Sequence, residues 1–171
     1  MHTIVYRLWQ VRQQLGFVAP LPAEEYLRVA QLLPPSALPL FHTMSAADQR
    51  HSFRVYQGLL ARGCVDNDLL AAALLHDVGK AEGRVPFWTR PAIVLGKVFA
   101  PRLLKRLTVY PDAGKTIPTW RRALSNAWWH AEIGAELAAT AGLSEKAVLY
   151  IRTHHQPGGP AAELHLVDET V

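Results

Sequence analysis

LLAAALLHDVGK, residues 69–80, is the stretch whose reading decides the fold. Leu69, Leu70, Ala73 and Leu74 recur at helical spacing and make one apolar stripe. Asp66 or Asn67, just before it, can accept from the free N–H groups of a first turn and so start a helix. One turn beyond the stripe stand His76 and Asp77. Gly79 is placed to close the helix in a left-handed C′ conformation, with Lys80 at the mouth. Burying an imidazole and a carboxylate without partners costs roughly 2 kcal/mol or more, or forces a pKa shift. A hydrogen-bonded His–Asp pair would satisfy both groups, and so would a cation. The rest of the chain bears on that choice.

Upstream, Ile4, Leu8, Val11 and Leu15 predict a helix over 3–15, and Tyr26, Leu27, Ala30 and Leu33 a second over 23–33. Pro34, Pro35 and Pro39 then force a bend. Ser45 with Asp48 resembles a capping box for a helix that ends at Gly63, with His51, Val55, Gly58 and Leu59 inward. Downstream, Glu82 to Thr119 is apolar and basic and reads as a lid, an oligomer contact or a surface helix that touches membrane. A helix follows from Trp120 to Ala141, broken near Asn126, with His130, Ile133, Gly134 and Leu137 on one face. Gly134 leaves room for another backbone or a ligand. Ser144 caps the next helix, whose stripe carries Ala147, Val148, Ile151, His154 and His155. Adjacent residues on a helix diverge by about 100°, so a second reading has either His154 or His155 pointing away. The tail, AAELHLVDETV, carries Leu164, Val167 and Asp168.

No two-residue alternation and no Asn-Gly or Asp-Gly hairpin signal occurs, so the expected class is all-α, a helical bundle in one domain over 1–171. Within it, 1–40 reads as an N-terminal helical extension and 82–119 as a variable insertion. Half the 171 residues are hydrophobic and 19% are charged, which suits a packed globule. No apolar run reaches the ~18 residues of a transmembrane helix. Arg7 and Arg12 interrupt any signal-peptide core, and the single Cys64 excludes an internal disulfide, so a cytoplasmic protein is expected. The net charge is +4, and ten of the 18 Lys and Arg lie between Lys80 and Arg122, opposed only by Glu82 and Asp112. Such a field favours anionic ligands.

Five histidines, His51, His76, His130, His154 and His155, thus fall on inward stripes of four helices, joined by Asp77 and by Asp168 in the tail. Hydrogen bonds alone satisfy such a set poorly, and helix bundles build metal centres from facing side chains of this kind. Imidazole with carboxylate suits Mn, Fe, Co, Ni or Zn, as one or two ions.

RHSFRV at 50–55, LLHDVGK at 74–80, HAEIGAEL at 130–137 and THH at 153–155 carry a resemblance. Their order is similar to the HD superfamily of metal-dependent phosphohydrolases, in the extended pattern of the HD-GYP and related cyclic-dinucleotide phosphodiesterases. The match spans Phe41 to Asp168. The chain departs from that pattern in Ala131 where Pro is usual, in QPGGP where GYP stands, and in LVD around the last Asp. The resemblance implies one metal on His51, His76, Asp77 and Asp168, and a second on His130, His154 and His155, with Asp77 bridging. It implies a bridging water made nucleophilic by the cations, and Lys80 against a phosphate oxygen. The expected reaction is hydrolysis of a phosphate ester or phosphodiester in a nucleotide-like substrate, with Lys80, Arg121 and Arg122 holding phosphates and Trp120, Trp128 and Trp129 available to stack a base. A phosphorylated small molecule or nucleotide is the expected partner. Nucleic acid is not, and a homodimer stays open. Two rivals share the ligand pattern: a mixed-valent di-iron oxygenase on the same scaffold, and a sensory module that binds a nucleotide without turnover.

Overall fold

The computed structural model describes residues 18–83, 100–110 and 117–171, and between them Thr89, Ile93, Leu95, Gly96 and Phe99. The helix expected over 3–15 and much of the 82–119 insertion lie outside these residues. Among the described residues the chain is all-helical. Its α-helices are α1 (Ala23–Leu32), α2 (Leu38–Thr43), α3 (Ala46–Ala61), α4 (Asn67–Leu75), α5 (Pro101–Leu107), α6 (Thr119–Thr140), α7 (Glu145–Thr153) and α8 (Ala162–Asp168). A 3-10 helix over Val78–Gly83 follows α4. None is long and apolar enough to cross a membrane.

The middle of the bundle is α4. Every residue from Leu69 to Leu75 is buried, as a helix apolar on all sides requires. It packs between α3 and α7, with α1 and α2 against it, while the 3-10 helix lies on α6 and α8 lies on α3. Phe41, Phe53, Val55, Leu59, Ile151 and Leu164 complete the core around it.

The expected caps form. Asp66 accepts from the Asp68 amide, and Ser144 and Ser45 accept from the amides of Ala147 and Asp48. Gly63 and Gly142 take positive φ (84° and 81°) where α3 and α6 stop. The caps of α4 and α7 are also tied to each other. Ser144 Oγ donates to Asp68 Oδ1 at 2.5 Å, Tyr150 OH to Asp66 Oδ2 at 3.0 Å, and Lys146 pairs with Asp66 at 2.9 Å. Both helices have nine residues and end at a histidine, His76 or His154. Side by side with tied starts, they finish side by side, and the two rings come within 5.1 Å of each other.

Three local expectations need correction. α6 runs unbroken through Asn126, which is buried mid-helix. α2 appears where only a proline bend was expected, since Pro39 fits the first turn of a helix. Gly79 is not a left-handed stop: His76 keeps right-handed geometry and the chain tightens into the 3-10 helix. Glycine is needed there for room. A methyl group on Gly79 would fall on the carbonyl oxygen of His130 and 2.8 Å from the Gly134 amide nitrogen. Gly134 makes the matching gap on α6, as its position had suggested.

Backbone cannot rotate aside, so Gly79→Ala should destabilise the protein by about 3 kcal/mol or more. Gly158→Ala, with nothing within 4 Å of the added carbon, should stay within about 0.5 kcal/mol of wild type. Urea midpoints of the two variants check this; equal midpoints would refute the close backbone contact.

Candidate metal centre

The same ring bond repeats at two helix ends, His76 and His154, and in the middle of α6, at His130. His76 Nδ1 donates to the Ala73 carbonyl at 2.9 Å, His130 Nδ1 to Ala127 at 2.9 Å, and His154 Nδ1 to Ile151 at 2.7 Å. Each ring bonds the carbonyl three residues back, which fixes the tautomer and leaves Nε2 to face inward. The His154 carbonyl in turn accepts from His165 at 3.1 Å.

The seven expected ligand residues converge. Asp168, on the last turn of α8, has Oδ1 2.8 Å from His51 Nε2 and 3.5 Å from His76 Nε2. Asp77 Oδ1 lies 3.7 Å from His76 Nε2 and 3.6 Å from His130 Nε2, so it stands between the two halves of the cluster. Its Oδ2 accepts from Lys80 Nζ at 2.5 Å. His155 Nε2 lies 2.9 Å from His130 Nε2. Neither of the adjacent histidines turns away, because α7 ends at Thr153 and both rings sit on the turn that follows. His51, His76 and Asp77 form one group, and His130, His154 and His155 another, with ligand atoms within 4.8 Å of one another in each.

These residues fit a metal ion. His76 and His154 are fully buried, and their Nε2 atoms have no hydrogen-bond partner. Leaving a buried polar atom unsatisfied costs ~1–3 kcal/mol. A cation would take both nitrogens as ligands, along with the two carboxylates. The 2.9 Å between the Nε2 atoms of His130 and His155 is also the spacing of two nitrogens at right angles on one cation, given metal–nitrogen bonds of ~2.0–2.1 Å. Buried His and Asp groups here could therefore hold a metal, and the donor set is imidazole and carboxylate.

The two halves differ electrically. Burial holds His130 down to about 3, helped by the charge of Lys80, and holds His154 well below its ordinary value, helped by the charge of His76. Burial also opposes charge on His76, but Asp77 and Asp168 outweigh it and raise His76 to about 9. Both carboxylates stay far below the usual range. Burial resists their ionisation, yet Lys80 and His76 overcome it at Asp77, as do His51 and His76 at Asp168.

The other expected contacts fare differently. Arg121 donates from Nε to the Leu107 carbonyl at 2.8 Å and from a terminal nitrogen to Arg106 at 3.3 Å, so it caps α5. Arg122 is exposed on α6. Trp129 stacks edge-on against Tyr110, Trp128 packs on the Ile93–Leu104–Leu124 cluster, and Trp120 is exposed. The carbonyls of Ala73, Ala127 and Ile151 were not foreseen; a histidine on the last turn of a helix is the signal that could have found two of them.

Comparison with protein-family models, with curated proteins and with solved structures finds no match to this chain.

With protons as the only cations in the site, stability should peak near pH 6.5. His130 and His154 have depressed folded values, so stability is present above the unfolded value of ~6.5 and falls as the pH drops below it. His76 has a raised folded value, so its contribution is complete below ~6.5 and is lost as the pH rises through about 9. Thermal midpoints of chelator-treated protein at acid, near-neutral and alkaline pH test this, and a midpoint that climbs steadily across that range would contradict the His76 assignment.

Proposed function

We propose that the chain is a metal-dependent phosphohydrolase of the HD type, cleaving a phosphate ester or phosphodiester of a nucleotide-like substrate. The observation that carries this reading is the meeting of His51, His76, Asp77, Asp168, His130, His154 and His155 in one cluster beside Lys80. When bound there, a divalent cation would lower the pKa of a water and polarise a phosphate oxygen.

The residues of the chain divide the remaining work. His51, His76, Asp77 and Asp168 supply the anionic half of the ligand set, and His130, His154 and His155 the neutral half. Asp77, facing a histidine of each half, is the carboxylate suited to bridge them. Lys80 is part-exposed at the cluster's edge, its ammonium on Asp77 Oδ2. From there it can reach a phosphate oxygen and stabilise the charge that grows on it. His155 is exposed, so the site opens on the side where it lies. Since Arg121 caps α5, Lys80 and the exposed Arg122 remain as cations for the substrate's phosphate.

Asp77→Ala should abolish both metal binding and hydrolysis of a generic ester such as bis(p-nitrophenyl) phosphate. Lys80→Ala should keep the metal while turnover falls by about 10²-fold. Elemental analysis beside the hydrolysis assay reads both, and full activity in Asp77→Ala would end the proposal. Iron as the bound metal, with oxygen consumed and no ester cleaved, would instead mark the oxygenase. Metal without turnover on any phosphate ester would mark the sensory module.

A further inference from the structure

We propose that the exposed side chains of Leu95, Phe99 and Leu103, with Arg102, Lys105 and Arg106, dock on the surface of an anionic lipid bilayer. Leu95, Phe99 and Leu103 are 55%, 79% and 57% exposed. Leu95 and Phe99 are helical and four apart, so they share one face. Leu103, Arg102, Lys105 and Arg106 are exposed on α5, which starts just after Phe99, and among the described residues the three cations form no ion pair. From Gly83 to Pro111 the sequence has six Lys and Arg and no Asp or Glu. Other large exposed apolar side chains, such as Leu27, Leu149 and Leu166, sit singly on separate helices.

The opposite face is already occupied, so these side chains cannot turn inward. Leu104 packs with Ile93 and Leu124. Gly96 lies so close to Leu104 that an added methyl would come within 2.9 Å of its Cδ2. Arg121 holds the end of α5 through the Leu107 and Arg106 carbonyls. What remains outside is aliphatic and aromatic, interleaved with cations.

That chemistry selects its occupant. An interfacial helix puts apolar side chains below the headgroups while its Lys and Arg meet anionic lipid. A second copy of the chain is a poor fit, since a two-fold contact sets the same patch against itself and brings like charges together. Nucleic acid would leave Leu95, Phe99 and Leu103 in water.

The test is flotation of the metal-loaded protein with vesicles of phosphatidylcholine, alone or mixed with phosphatidylglycerol. It uses no enzymatic readout, so it stands apart from the phosphohydrolase reading. Wild type should float with the mixed vesicles and stay behind with phosphatidylcholine alone. The double variant K105E/R106E should partition at least about 30-fold more weakly, and Phe99→Asp about tenfold more weakly, both with unchanged circular dichroism and metal content. Absence of wild type from the floated anionic vesicles would overturn the proposal. So would partitioning that both variants leave intact. A wild-type dimer that Phe99→Asp splits into monomers would also overturn it, assigning the face to a second copy.

Discussion

Two imidazole nitrogens buried without a donor, Nε2 of His76 and of His154, set the terms for the whole bundle. Each ring is locked by a bond from Nδ1 to its own helix, so neither Nε2 can turn toward water. The two helices that carry them have equal length and tied starts, so the two rings meet at the far end. α6 must then bring His130 to the same point. It does so by lying backbone to backbone on the 3-10 helix, through the facing glycines 79 and 134. α8 closes the cluster by seating Val167 against Gly58 of α3, which carries Asp168 to His51. A change at either glycine contact would therefore be felt at the ligands.

The resulting cluster is polar in an uneven way. One half gathers both carboxylates, and there His76 is pulled toward its protonated form. The other half is imidazole alone, and burial keeps His130 and His154 neutral. Neutral imidazole and ionised carboxylate are the forms that ligate metals; His130, His154, Asp77 and Asp168 are held in those forms, and His76 is not. A cation entering the site would replace the proton there, so its affinity would rise with pH. Lys80 adds one fixed positive charge at the edge, where an anionic group would arrive.

The segment after the 3-10 helix serves a different surface. Its inward face is fastened to α6 by Leu104 against Leu124 and by the Arg121 cap, with Gly96 packed on Leu104, and none of these contacts includes a residue of the cluster. Its outward face has the composition of a membrane-interfacial helix.

The sequence alone determined which residues face inward on each helix, because that follows from local periodicity and from caps a few residues away. Ser45, Asp66 and Ser144 start helices as their side chains dictate, and Gly63 and Gly142 stop them. His51, His76, His130 and His154 could be read as inward-facing on those grounds. Other features did not follow from local periodicity. Asp168 stands in a short helix with no distinctive neighbours, and only the seating of α8 on α3 brings it to His51. That His154 and His155 both reach the site depends on where α7 ends. That Arg121 caps α5 depends on a carbonyl fourteen residues away. Gly79 was assigned a local conformational role when its real neighbour is the backbone of another helix. Periodicity fixes the direction of a side chain about its own helix axis. The distance between two such side chains is set by how the helices pack, and only the tertiary structure decided that.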